Sequence, residues 1–294
     1  MHICKKSSTF ARKLGKTMKK TISVLCFAFL ALVYAVPAFG WGQKGHRIIA
    51  KIAYDNLNKK ARKAVDQTLG KDGIVYWANW PDEIKSDTIY PTSYDWHFQD
   101  FDGGLSDSTV VAALTDYPKE GGNMFKAIDS LVTVLKDCKT VALKDRSAVR
   151  PASPVGLEHT LRFIVHLSGD RYCPMHTAHM DDRGGNDVKM KWFKSDTRLH
   201  TVWDEKLIES QGYSYTEYAQ KLETEYAAEK RAIEAMSDAE LLLNNYHLTE
   251  AIYAYQATWD GNTYHYIYRW RQPMERQLYI AGIRLAKLLN EIYK

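Results

Sequence analysis

The sequence predicts an all-α protein: a single compact helical domain with long loops and at most a short β-ribbon. Three observations carry that prediction. Apolar residues recur at helical spacing in at least two segments, two capping boxes open further helices, and sustained period-2 alternation is absent outside 186–193. In chain order, residues 45–69 favour helix, and the Gly/Pro-bearing stretch 70–122 reads as a long loop. Behind an Asn123 cap, Met124, Ala127, Ile128, Leu131, Val132 and Leu135 form one buried stripe. Residues 156–168 and 202–210 favour helix again, separated by a second long loop over 180–198 that holds the ribbon near 186–193. Ser214-x-x-Glu217 and Ser237-x-x-Glu240 are capping boxes. Leu278, Ala281, Gly282, Leu285, Leu289 and Ile292 give the last helix its apolar face. Loops of such length are often functional. There is no repeat, low-complexity linker or composition break.

The chain has 294 residues, of which 45% are hydrophobic, enough for a real core, so a disordered or collagen-like chain is excluded. The formal charge of +5 misleads. Residues 1–40 hold seven basic side chains and no acidic one, and the remainder carries 33 basic against 35 acidic, a net of −2. That balance excludes a polycationic nucleic-acid coat, so a polyanionic substrate must be held by something local. The same forty residues run from a basic start through an apolar stretch, Thr21 to Val36, to the small-x-small ending Ala38-Phe39-Gly40. This is the layout of a cleavable secretory signal peptide with its cut before Trp41. The apolar run is shorter than the ~20 residues of a membrane span, so a membrane anchor is disfavoured. The product is expected to be secreted or periplasmic. Cleavage leaves Cys138 and Cys173, which an oxidising compartment permits to pair and spacing alone does not require to.

Five histidines of the processed chain sit in tight local patterns with aspartates. His166-Leu-Ser-Gly-Asp170 and His200-Thr-Val-Trp-Asp204 both place an imidazole and a carboxylate at i and i+4, on one face of a helix. His176 follows just past Pro174, His46 lies near the start of the processed chain, and Asp82 and His97 fall in the first long loop. Either pair alone reads as a helix-surface hydrogen bond. Taken together, nitrogen and carboxylate donors without cysteine point to zinc or a similar borderline metal.

The run His166-Leu-Ser-Gly-Asp170-Arg-Tyr-Cys-Pro-Met-His176 resembles the trinuclear-zinc, single-strand-preferring nucleases of the mung bean nuclease type. So do Asp182-Arg-Gly-Gly-Asn-Asp187, Leu199-His-Thr-Val-Trp-Asp204, Trp41-Gly-Gln-Lys-Gly-His46, Asp82-Glu-Ile-Lys85 and Trp96-His-Phe98, in order along the whole processed chain. Cys173 and Met175 stand where many relatives have glutamine and leucine. The resemblance implies a phospholipase C/nuclease-like helical fold over 41–294 and three zinc ions. One would take Asp82, His97, His166 and Asp170. A second would take His46, Asp170 as a bridge, and the backbone of Trp41. The third would take His176, His200 and Asp204. A free α-amine and its own carbonyl can chelate only after the leader is cut, and an α-amine of pKa ~8 loses its proton readily.

From the same resemblance, Asp82 orients the attacking water, Lys85 stabilises transition-state charge and Asn186 holds a phosphoryl oxygen. Phe98 stacks a base and Asp100 hydrogen-bonds its edge. The implied activity is endonucleolytic hydrolysis of single-stranded RNA and DNA to 5′-phosphate products, with 3′-nucleotides as further substrates. No membrane anchor after processing and no protein partner are expected. A zinc-dependent phospholipase C is the rival enzyme, but its pattern ends in His-x3-Glu and spaces the first tryptophan and histidine more widely. A secreted zinc-binding protein without catalysis is the reading from another class, and the presence of Lys85 and Asn186 argues against it.

Overall fold

The computed structural model describes residues 41–144 and 156–294, with the side chains of 138–144 outside that set. The expected leader, residues 1–40, and the side chain of Cys138 lie outside the described residues. The described chain is all-α apart from one two-stranded ribbon.

Helix α1, Gln43–Asp55, buries Ile48, Ile49, Ile52 and Ala53, the one-sided pattern that drives an amphipathic helix onto a core. The stretch expected as one helix over 45–69 breaks at Asn56-Leu57-Asn58. Asn58 opens α2, Lys59–Leu69, its side chain accepting from the Lys60 and Ala61 amides at 2.9 Å. The expected loop 70–122 contains helical turns instead, at Gly73–Tyr76, Trp77–Asn79, Trp80–Ile84, Ser93–His97 and Asp107–Ala112. None exceeds six residues, too short for apolar periodicity to show.

Helix α3, Met124–Lys144, carries the expected stripe. Asn123 does not cap it through its side chain, whose Oδ1 is buried without a hydrogen bond; its backbone carbonyl accepts from Ala127 at 3.0 Å. Helix α4, Leu157–Asp170, is buried without interruption from Thr160 to Asp170, the signature of a central helix covered on every side. The ribbon sits slightly later than expected: β1, Lys189–Trp192, pairs antiparallel with β2, Ser195–Arg198, with Lys189 opposite Arg198. The following segment is helical at Leu199–Thr201, widens to a π-helix over Val202–Lys206 and closes at Leu207–Glu209. Such local widening often marks a functional site.

Both capping boxes form, Ser214 with Glu217 opening α5, Tyr215–Glu225, and Ser237 with Glu240 opening α6, Asp238–Gln256. Helix α7, Thr263–Ile292, starts well before its apolar stripe, capped by Asn262. It lies against α1 so closely that a Cβ on Gly282 would stand 2.6 Å from Ile52 Cβ. No helix of the described residues is long and apolar enough to cross a membrane.

Candidate metal centre

Six separate elements deliver eight buried side chains to one place. Helix α4 presents His166 and Asp170 from adjacent turns, with Nε2 and Oδ2 3.3 Å apart. The 199–206 segment repeats the device, His200 Nε2 lying 2.8 Å from Asp204 Oδ2. Helix α1 supplies His46, and two short turns supply Asp82 and His97. Pro174 starts the single turn that ends in His176. All eight are buried.

Asp170 is the hub. Its Oδ1 stands 3.3 Å from His46 Nε2 and 3.6 Å from His176 Nδ1, and its Oδ2 stands 3.1 Å from His97 Nδ1. Asp82 Oδ1 faces His166 Nε2 at 3.6 Å and His97 Nδ1 at 3.7 Å. Asp204 Oδ2 is 3.9 Å from His176 Nε2. The rings of His46 and His166 stack at 3.7 Å. Backbone carbonyls orient three of the rings from outside: Ala78 O accepts from His166 Nδ1 at 2.7 Å, His97 O from His176 Nδ1 at 2.5 Å, and Gly184 O from His200 Nδ1 at 2.6 Å. An imidazole that gives its Nδ1 proton to a carbonyl keeps its lone pair on Nε2, the arrangement typical of a ligating histidine.

The electrostatics ask for a cation. Burial, followed by the neighbouring His166, lowers His46 to about 4, so that ring is neutral. At His176 burial is opposed by Asp170 and Asp204, which lift it to about 9. Asp170 is held well below the carboxylate range against burial, by His166 and His176. Buried carboxylates that draw protons onto imidazoles are sites where a divalent ion can replace those protons. The polar atoms agree. His46 Nδ1 and Nε2, His97 Nε2, Asp170 Oδ1, His176 Nε2 and Asp204 Oδ2 are buried and make no hydrogen bond of proper geometry. Three groups bring their donor atoms within 4.8 Å of one another: His46, Asp82 and His166; His97, His166 and Asp170; Cys173, His176 and Asp204. These donors fit zinc. A fourth group, His179, Asp181 and Asp182, is partly exposed, and its imidazole Nε2 is engaged by Glu250 at 2.5 Å.

Trp41 is wholly buried, its indole Nε1 donating to Gly169 O at 3.0 Å. The next amide, Gly42 N, donates to Asp204 O at 2.6 Å. Residues 41 and 42 are thereby tied to both His-x3-Asp pairs. Gly42 suits this place because a Cβ there would lie 3.0 Å from Asp204 O.

The remaining expected site residues border the cluster unequally. Lys85 Nζ lies 3.3 Å from Asp82 Oδ1 and is nearly buried. Asp100 is buried with Oδ1 unpaired, and burial pushes its carboxyl up to about 7. Gly184, with φ +65°, passes so close that a Cβ would stand 3.3 Å from that Oδ1. Phe98 is half-buried, edge-on to Tyr94 at 5.8 Å between centroids. Asn186 Nδ2 is turned back to Arg183 O at 2.8 Å within its own loop, so its side chain is not brought onto the cluster. Cys173 is a free, buried thiol that donates to Asp204 Oδ1 at 3.2 Å, a role its sequence position beside the ligands did not disclose. The orienting carbonyls of Ala78, His97 and Gly184 had no sequence signal, because any residue supplies one. Trp77 and Trp80 are scaffold, flanking the guanidinium of Arg162 at 3.6 and 4.9 Å.

Comparison with known proteins bears on this arrangement. The family model for S1/P1 nuclease matches residues 41–294. Endonuclease 2 of Arabidopsis thaliana is 26% identical over 282 residues, covering 89% of this chain and 94% of that protein. Endonuclease 4 of the same plant is 28% identical over 278 residues, with 87% and 90% covered. Nuclease S1 of Aspergillus oryzae is 27% identical over 190 residues, with 63% and 60% covered. The family match takes in every residue of the buried His/Asp cluster, and the chain therefore belongs to the S1/P1 nuclease family of zinc-dependent phosphodiester hydrolases.

Proposed function

We propose that the processed chain, residues 41–294, is a secreted or periplasmic endonuclease that cuts single-stranded RNA and DNA to 5′-phosphate products. It also removes the phosphate of 3′-nucleotides, and it works with three zinc ions. Residues 1–40 export the chain, and their removal frees the amine of Trp41.

The observation that carries the reading is Asp170, whose two oxygens face imidazoles from four different elements. Asp82, His97, His166 and Asp170 would hold one ion, His46, Asp170 and the Trp41 backbone a second, and His176, His200 and Asp204 a third. When bound, zinc lowers the pKa of water towards ~7 and offsets the charge of the phosphoryl oxygens. Asp82 orients the attacking water through a hydrogen bond. The ammonium of Lys85, 3.3 Å from Asp82 Oδ1, would stabilise the negative charge that grows on the phosphoryl group. Asn186 reaches a phosphoryl oxygen by leaving the carbonyl of Arg183. Phe98 stacks a base whatever its identity, worth roughly 1–3 kcal/mol, which needs the base out of a duplex. Asp100, with a carboxyl near 7, can donate to or accept from the base edge.

The test uses protein beginning at Trp41, single-stranded RNA, and a chelator. Elemental analysis counts the ions, and mass spectrometry reads the product ends. The expected result is chelator-sensitive cleavage to 5′-phosphates by a chain carrying three zinc ions. Intact RNA with metals bound would overturn the activity, and phosphatidylcholine would be the next substrate.

A further inference from the structure

Helix α6, Asp238–Gln256, gives no side chain to the His/Asp cluster, yet the face it buries is partly polar. Leu241, Leu242, Tyr246 and Ile252 share that face with Asn245 and Thr249, both wholly buried. Tyr253, half-buried, follows Thr249 by four residues. Asn245, Thr249 and Tyr253 therefore stand at i, i+4 and i+8, one row along the helix. Burying an amide or a hydroxyl costs free energy unless it is hydrogen-bonded, and leucine or valine would seat the helix without that cost. All three side chains bond to the loops that present His176 and orient His200.

The first loop is the single turn Pro174–His176, with two backbone bonds of its own: His176 N to Cys173 O at 3.0 Å, and Thr177 N to Pro174 O at 3.3 Å. Helix α6 takes hold of both acceptors. Asn245 Nδ2 donates to Cys173 O at 3.4 Å and to Thr177 Oγ1 at 2.8 Å, and Thr249 Oγ1 donates to Pro174 O at 2.9 Å. Gln277 of α7, also buried, donates to Asn245 Oδ1 and so fixes which way that amide points. In the second loop, the Tyr253 hydroxyl donates to Asp182 Oδ1 at 2.8 Å, and the same oxygen accepts from Gly185 N at 2.6 Å. That anchors the Gly184–Gly185 pair, whose carbonyls accept from His200 Nδ1 at 2.6 Å and from His200 N at 3.3 Å. A lone turn and a glycine pair have little structure of their own to stiffen them, whereas a ligating imidazole must be held to about 0.5 Å. The stiffness has to come from a neighbouring element.

We infer that the polar row Asn245, Thr249 and Tyr253 is a positioning device for the metal of His176, His200 and Asp204, fixing the turn under His176 and the carbonyl behind His200. The three are positioning residues, acting on the ligands through backbone and Asp182. The inference rests on the reading that His176, His200 and Asp204 hold an ion. The hydrogen bonds of the row run to this end of the cluster, so its loss loosens one ion of three.

The test takes the zinc-loaded processed protein and reads zinc affinity, ion by ion, in competition with a chromophoric chelator. Two variants are compared with the parent: Asn245→Ala, and the double variant Thr249→Val/Tyr253→Phe, which removes two hydroxyls with little change of shape. Each is expected to weaken one ion by about tenfold, the lower end of the cost of losing a group that orients a ligand. The other two ions are expected to keep the parent's affinity. Thr249→Ser, which keeps the donor, should bind zinc as the parent does. Ile252→Ala removes apolar packing from the same buried face and no hydrogen bond, so it should lower the denaturant midpoint and leave all three affinities alone. Unchanged affinity in both Asn245→Ala and the double variant would overturn the inference. So would an equal loss at all three ions, or the same loss in Ile252→Ala, since either makes α6 a support for the fold at large. The underlying reading is checked apart with His176→Ala: a variant that keeps all three ions at full affinity would remove the ion from that end, and the inference with it.

Discussion

The thiol of Cys173 donates to Asp204 Oδ1 at 3.2 Å, leaving the other carboxylate oxygen to face His176 and His200. Burial, and then the adjacent Asp204, hold the thiol far above its usual pKa, so it is a donor at neutral pH. Cys173→Ala should weaken metal binding at this end of the cluster by about 10- to 100-fold, the usual cost of losing a group that orients a ligand. Cys173→Ser, which keeps a donor, should stay nearer the wild type. Competitive chelator titration reads both, and an alanine variant that binds as tightly as the parent contradicts the role.

Asp170 and Asp100 are both buried carboxylates, yet they face different partners. Asp170→Asn removes the charge that four imidazoles share. It should lower kcat by roughly three orders of magnitude, about 4 kcal/mol at 1.36 kcal/mol per decade. Asp100→Asn should act mainly on KM, by about tenfold at 1.36 kcal/mol per decade. Steady-state kinetics on a defined oligonucleotide separates them. Equal losses in the two variants would remove Asp170 from the hub.

An additional residue in front of Trp41 turns its α-amine into a peptide nitrogen, which has no lone pair to give. With the indole still on Gly169 and Gly42 still on Asp204, the fold should survive while one ion is lost. Elemental analysis and rate are measured on the extended and the exact-start protein. Full metal content at full rate in the extended form would falsify chelation by Trp41.

Gly282 offers a control outside the cluster itself, on the helix contact that seats α1. A Cβ there meets Ile52 Cβ and Cγ2 at 2.6 Å, so Gly282→Ala overpacks the contact of α7 with α1. The expected cost is about 1–3 kcal/mol in denaturant unfolding, with kcat unchanged. A variant as stable as the parent would mean that the two helices can part without penalty.

Helices with a long apolar face or a capping box were legible in the sequence, because each announces itself within one or two turns. The break at Asn56–Asn58 was not read, although Asn58 is a good cap, because the apolar residues on either side keep helical spacing across it. The turns between 70 and 122 were invisible for the opposite reason, being shorter than two periods of their own pattern, so that no apolar repeat can show. At the centre, residue types and spacing identified the eight clustered side chains, since nitrogen and oxygen donors at i and i+4 are rare in such density. What spacing does not encode is direction. Asn186 shows this, with its amide turned to Arg183, as does Cys173, whose hydrogen bond depends on a partner thirty-one positions away.

The bond from Trp41 to Gly169 joins positions 128 apart, and the clustered side chains run from His46 to Asp204. Contacts so distant along a chain close late, after the local helices have formed. A growing or half-threaded chain that ends before position 204 therefore lacks part of every route to a finished centre, whatever helices it has already made. Lateness of assembly is a form of custody: the full set of clustered side chains exists only once synthesis has passed position 204, more than two-thirds of the chain.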